Sequence, residues 1–180
     1  MLLQNIELYE TDNFQYLLIH KNGSSSIVEC LKNTNYIVTD KVNLNKIRWT
    51  VIRDPYERFI AGLKYDLSRH GLDYKDVNYS SLHNARVSLL TRNMGHVNHT
   101  ASQVPYLINT CIDRYVEIKD LNTFLKIHFG EVKYCNNNSN NIELDIDKEE
   151  IMKYLDLDYY IYNQIITSPN LWKWQQGKIF

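Results

Sequence analysis

The sequence predicts an α/β protein with a central, mostly parallel sheet flanked by helices. Three observations carry that expectation. Apolar β-type runs alternate with helical patterns in the order strand, loop, helix, strand, strand, helix, as in a βαβ unit. The run Ile47 to Arg53 (IRWTVIR) is nearly continuous in apolar character, as a strand buried on both faces would be. The clearest helix start in the chain, Asp54-Pro55, follows that run directly.

Taken in order, Ile6 to Tyr9 and Phe14 to His20 are β-type runs separated by Glu10-Thr11-Asp12-Asn13, a hairpin pattern. Ser24 to Lys32 reads as a helix, with a serine available as N-cap and Ile27, Val28 and Leu31 on one side. Tyr36 to Thr39 and Ile47 to Arg53 are further strands. Asp54 as N-cap, Pro55 at the first helical position and Glu57 completing a capping box open a helix. It should run through Phe59, Ile60, Leu63 and Leu67 and stop near Gly71. Ser81 to Arg92 reads as helical, Tyr115 to Lys119 as a strand, and Leu121 to Phe129 as a helix closed by Gly130. Asp147 opens another helix, with Glu149 and Glu150 in its favourable first turn.

At 180 residues the chain is expected to form a single domain. Lys plus Arg total 20 and Asp plus Glu 21, so the net charge of −1 argues against a whole-surface nucleic-acid binder while permitting a local basic pocket. No apolar run is long enough to span a membrane, and Met1 to Glu10 lacks the features of a signal peptide, which predicts a cytoplasmic protein. Cys30, Cys111 and Cys135 are odd in number and lack CxxC spacing, which fits a reducing compartment better than a disulfide scaffold or a zinc site. Only Cys135 to Asn141 reads as low complexity.

Two elements carry chemistry. In Tyr16 to Ile27 (YLLIHKNGSSSI) an apolar strand runs into Lys21-Asn22-Gly23-Ser24-Ser25-Ser26 and then into a helix. Free backbone N–H groups and the positive end of the helix dipole favour an anion there. Gly23 allows close backbone approach and Lys21 supplies a point charge. The plainer reading is a serine-rich turn with a surface lysine. A Walker A loop places its lysine after the second glycine, whereas Lys21 precedes the only glycine here. In Trp49 to Leu63 (WTVIRDPYERFIAGL), Arg53 ends a buried strand at the carboxyl edge where α/β sheets bind ligands. Its planar fork can hold a phosphate through two hydrogen bonds. Arg58, one turn into the helix, can pair with Asp54 or reach the same ligand; equally, both arginines can serve ordinary ion pairs around the capping box.

Together, strand-HKxGSSS-helix followed by strand-RDPxxR-helix resembles the cofactor-binding pair of the sulfotransferases, closest to the carbohydrate (Golgi-type) branch. Tyr115 to Leu121 (YVEIKDL) is similar to that family's later strand and helix start, and the loop Asn136 to Asn138 has a similar place before a last helical segment. The resemblance implies a P-loop-like three-layer fold and 3′-phosphoadenosine 5′-phosphosulfate (PAPS) as cofactor, with adenosine 3′,5′-bisphosphate (PAP) as product. It also implies that Lys21, Asn22, Gly23, Ser24, Ser25 and Ser26 hold the 5′-phosphosulfate and Arg53, with Arg58, the 3′-phosphate. Sulfuryl transfer asks for such residues, because positive groups must stabilise the charge that develops on the leaving oxygen; Lys21 is the catalytic candidate. The acceptor it implies is a hydroxyl, carbohydrate being the class. Two departures stand out: Ala61 occupies the place of a motif serine, and His20 that of a proline.

The acceptor hydroxyl needs a base. Between the two motifs only Glu29 and Asp40 offer one, and Asp40, at a predicted strand end, is the better placed. Outside them, His70, His83, His96 and His99 remain, and the polar stretch Asn93 to Gln103 can carry His96 or His99 to the cleft. The HxxH spacing of His96 and His99 alone, with no third ligand, does not make a zinc site, so no metal is expected. Tyr56, Tyr65, Tyr74, Tyr79, Tyr159, Tyr160 and Tyr162 can line a sugar cleft or simply pack at core edges. Trp172 and Trp174 can stack on a ligand or anchor the terminus. The alternatives to an enzyme of this kind are an inactive nucleotide-binding module of the same fold and a P-loop-like kinase.

Overall fold

A computed structural model describes residues 6–70, 99–100, 102–130, 144, 147–173 and 176–178. The expected helix Ser81–Arg92, the residues His83, His96, Tyr74, Tyr79, Cys135 and Trp174, and the loop 136–138 lie outside them.

The amino-terminal hairpin forms as its sequence dictates. Strand β1 (Leu8–Glu10) pairs antiparallel with β2 (Phe14–Leu17), and the Thr11 hydroxyl oxygen accepts from the Phe14 N–H at 3.2 Å to close the turn. After β2 come α1 (Ser24–Leu31), β3 (Ile37–Thr39), β4 (Ile47–Ile52) and α2 (Pro55–His70). The chain continues with α3 (Val104–Asn109), β5 (Arg114–Glu117), a 3-10 turn at Ile118–Asp120, α4 (Leu121–Phe129), α5 (Lys148–Lys153) and α6 (Asp156–Ile166).

Among the described residues the sheet has five strands in the order β3-β1-β2-β4-β5. β2, β4 and β5 run parallel, while β1 is antiparallel to both β2 and β3. The expectation of a mostly parallel sheet therefore holds only for its β2-β4-β5 half. A short hairpin turn forces β1 to run against β2, and β3 joins the free edge of β1. At the opposite edge, β5 is partly covered by 170–172: its Tyr115 N–H donates to the Asn170 carbonyl at 3.0 Å, and the Trp172 N–H donates to the Tyr115 carbonyl at 2.8 Å.

Alternation along the strands sorts side chains to the two faces. Phe14, Tyr16, Trp49, Val51 and Val116 pack with Ile27 and Leu31 of α1 and with Leu121, Phe124 and Leu125 of α4. Leu8, Leu17 and Ile52 pack with Leu107 of α3 and with Tyr162 and Ile165 of α6. A third cluster seats α2 on α5 through Phe59, Leu63, Ile151 and Leu155. The amino-terminal ends of β4 and β5 are clamped by Arg48, whose Nε and Nη2 donate to the two carboxylate oxygens of Asp113 at 2.8 and 2.7 Å. That bidentate pair ties β4 to the start of β5, at the opposite end of these strands from Arg53.

His128 lies at the edge of the first cluster, with its ring 4.2 Å from that of Phe124 and 6.3 Å from that of Trp172. Burial, aided by Lys178, pushes its pKa down to about 4. The folded state therefore favours the neutral ring, whereas the unfolded chain takes up the proton near pH 6.5. Stability is lost as the pH falls from about 6.5 towards 4, by about 2 kcal/mol at a half-buried ring. In His128→Phe that loss is removed: the Tm difference between pH 7 and pH 4.5, followed by circular dichroism, should shrink by about 4–8 °C. An unchanged difference would show that His128 is not the titrating group.

Candidate functional site

The parallel register sets the site. Phe14 is level with Ile47 and Tyr16 with Trp49. Continuing that offset beyond the strands puts Arg53 level with His20, at the carboxyl ends of adjacent parallel strands where α/β sheets bind ligands. Ile52 is level with Glu117, so the 3-10 turn after β5 borders the same end of the sheet.

The loop from β2 to α1 has an unusual backbone. Lys21 (φ 66°) and Gly23 (φ 77°) both adopt left-handed conformations. Gly23 rather than a serine is the N-cap of α1, and its carbonyl accepts the Ser26 N–H at 3.1 Å. The expected serine cap is therefore replaced by a left-handed Gly23, and all three serines fall in the first turn of the helix. Ser24 and Ser26 are half-buried and Ser25 is exposed, at the helix end whose first N–H groups lack intrahelical partners. A Cβ on Gly23 would lie 2.3 Å from Leu121 Cδ2 and 3.0 Å from Ile118 Cδ1. Gly23→Ala should therefore lower stability by about 2 kcal/mol, from left-handed strain and overpacking together. Urea unfolding reads this directly, and a stability equal to the parent's would contradict it.

Asn22 looks like a ligand residue in the sequence, but its side chain is wholly buried. Its Nδ2 donates to the Val51 carbonyl at 2.7 Å and to Gln103 Oε1 at 3.2 Å. Gln103, 1% exposed, continues the network: its Nε2 donates to the Arg53 carbonyl at 3.1 Å and its backbone N–H to Asp158 Oδ1 at 3.1 Å. Arg53 Nη1 in turn donates to the Lys21 carbonyl at 3.3 Å, while Arg53 Nε lies 3.5 Å from the Glu57 carboxylate. The lysine-serine loop, Arg53 and α6 are thus tied into one unit through Gln103, a residue the sequence reading did not single out.

Asp54 caps α2 as its sequence predicts, with Oδ1 accepting the Glu57 N–H at 3.0 Å. The Tyr159 hydroxyl donates to the same carboxylate at 3.1 Å, fixing α6 against the start of α2. Arg58 does not reach the surface: it is 3% exposed. Its charge helps to hold the His20 pKa below the ordinary histidine range, after burial and His99, and Lys21 adds to the effect. Ala61 stands one turn further along α2.

Of the two candidate bases, His99 is brought to the loop and Asp40 is not. The His99 ring is 5.4 Å from that of His20 and 4.4 Å from that of Tyr65, and the Lys21 ammonium lies 3.5 Å from the Tyr65 ring centroid. Gly62 makes this possible, since a Cβ there would fall 2.2 Å from the His99 carbonyl oxygen. Asp40 is exposed, just past β3, with β1 between it and β2. Tyr56 packs on the third cluster, Tyr162 donates to Glu117 at 2.9 Å, and Trp172 is buried beside Phe124. These are packing roles, as is that of Tyr159.

Among the described residues no group of three or more His, Cys, Asp and Glu side chains is placed to hold a metal ion. Cys30 is buried and Cys111 is exposed. No described helix is long and apolar enough to cross a membrane. No family model, curated protein or solved structure matches the chain.

Proposed function

We propose that the chain is a sulfotransferase, moving the sulfuryl group of PAPS to a hydroxyl, with carbohydrate as the acceptor class. The observation that carries this reading is the meeting of the Lys21–Ser26 loop with Arg53 at the ends of two neighbouring parallel strands, joined by the Arg53-to-Lys21 hydrogen bond. Helix residues packed on both faces of the sheet support a P-loop-like three-layer fold around that meeting point.

In this reading the α1 N-terminus and the hydroxyls of Ser24, Ser25 and Ser26 hold the 5′-phosphosulfate, with Asn22 and Gly23 shaping the loop that presents them. Arg53 takes the 3′-phosphate, and the buried Arg58 adds positive potential behind it. As the acceptor oxygen bonds to sulfur, the bond from sulfur to the phosphate oxygen breaks, leaving its electron pair on PAP. The Lys21 ammonium stabilises that oxygen. His99 takes the acceptor proton. No part of this needs Asp40.

A transfer assay with radiolabelled PAPS against a panel of mono- and oligosaccharides tests the reading. The expected result is labelled acceptor formed in step with PAP. Binding of PAP without transfer to any acceptor would favour an inactive nucleotide-binding module, a reading that Ala61 in place of the motif serine supports. ATP-dependent phosphorylation instead would favour a kinase, against which the position of Lys21 before Gly23 argues.

A further inference from the structure

Tyr65 lies on α2 three residues beyond Gly62, and it is 41% exposed, so it is no core residue. Yet its ring meets two groups that arrive from different parts of the chain. The Lys21 ammonium lies 3.5 Å from the ring centroid, well inside the range in which a cation is attracted to an aromatic face. The His99 ring stands 4.4 Å away at an interplanar angle of 61°, an edge-type contact. His99 is 8% exposed and is held close to α2 by the missing side chain of Gly62. Lys21 is anchored by a left-handed backbone, which fixes where its side chain starts but not where its ammonium ends. A flexible four-carbon stem with several rotatable bonds needs a second constraint if its charge is to be preorganised.

We propose that Tyr65 is a positioning residue: its ring holds the Lys21 ammonium and the His99 imidazole at a fixed separation across the reacting group. The proposal rests on the sulfotransferase reading above. The ring touches neither cofactor phosphate nor sulfur; it acts through Lys21 and His99. Its hydroxyl is not needed for the cation contact, so phenylalanine at this position keeps the function and an aliphatic side chain loses it.

The test uses the full-length chain as parent, Tyr65→Phe and Tyr65→Leu. Single-turnover transfer from saturating PAPS, PAP affinity by calorimetry, and the NMR shifts of the Lys21 Cε protons are measured on each. An aromatic face shields protons lying over it, so the parent and Tyr65→Phe should show the Lys21 Cε protons upfield of an ordinary lysine, and Tyr65→Leu should not. The single-turnover rate should fall about 10-fold in Tyr65→Leu with PAP affinity unchanged, and return to within about threefold of the parent in Tyr65→Phe. A merely structural role would move PAP affinity and rate together and would leave no lysine signature. Parent-like transfer by Tyr65→Leu, or parent Lys21 protons at ordinary positions, would overturn the proposal while leaving the sulfotransferase reading standing. Failure of the parent itself to bind PAP would remove that reading, and the proposal with it.

Discussion

Lys21→Ala is expected to lower the rate of sulfuryl transfer roughly 10²–10³-fold, the size of effect seen when one preorganised donor to a developing oxyanion is removed. The loss should appear in the single-turnover rate, with PAP affinity changed much less, because the α1 N-terminus, the serine hydroxyls and Arg53 remain. The substitution is also clean in backbone terms. Lys21 already carries the left-handed φ of 66°, and alanine bears the same Cβ penalty there, so fold stability should hardly move. Quench-flow with PAPS and the best acceptor checks this. A turnover near that of the parent would show that Lys21 does not stabilise the leaving oxygen.

Gln103→Leu is expected to be the most damaging change outside the loop. The side chain is buried and bridges Asn22 Nδ2 to the Arg53 carbonyl, and so ties the loop after β2 to the end of β4. Leucine of similar bulk leaves the Arg53 carbonyl and one Asn22 proton without their partner in a nearly dry environment. At 1–3 kcal/mol for each orphaned group, the cost comes to about 3 kcal/mol, or a Tm lower by about 6–12 °C. With the tie cut, the Lys21–Ser26 loop and Arg53 no longer hold a fixed spacing, and PAP should bind about 10-fold more weakly even at temperatures where the variant is fully folded. Calorimetric melting and PAP titration together check both halves. A variant that melts early but binds PAP normally would reduce Gln103 to a core role.

What could be read from the sequence was local. Asp54-Pro55-x-Glu57 carries its own capping chemistry, and α2 begins where those residues say. Leu121–Phe129 ends at Gly130 for the same kind of reason, as that glycine adopts a positive φ of 83°. The six apolar-rich residues of β4 are buried save for the first. Other features depended on partners far along the chain. A serine cap for α1 was the expectation from local preference, but Lys21 and Gly23 turn left-handed and Gly23 takes the cap instead. The placement of β3 on the outer edge of β1, which leaves Asp40 far from the loop, is a matter of strand order that no short pattern encodes. Helix α3 is only six residues long, and its one local start signal is Pro105 in its first turn. The contacts of Tyr65 with Lys21 and His99, and of Gln103 with Asn22, join segments distant in sequence, so a single sequence offers no sign of them. The tyrosines read as possible sugar ligands divide in the same way: Tyr159 and Tyr162 are tied to carboxylates, and Tyr65 stands beside the loop.

The most direct measurement is a titration of the chain with adenosine 3′,5′-bisphosphate against ADP and ATP, with and without Mg²⁺, read by thermal shift. Ligand at about 100 times its dissociation constant stabilises the folded state by roughly 2.7 kcal/mol, a Tm rise of about 5–10 °C for a domain of this size. That rise is expected with the 3′-phosphorylated nucleotide, independent of Mg²⁺, and should be lost in Arg53→Ala. A rise with ATP and Mg²⁺ instead, or no rise with any of the three, would contradict the sulfotransferase reading.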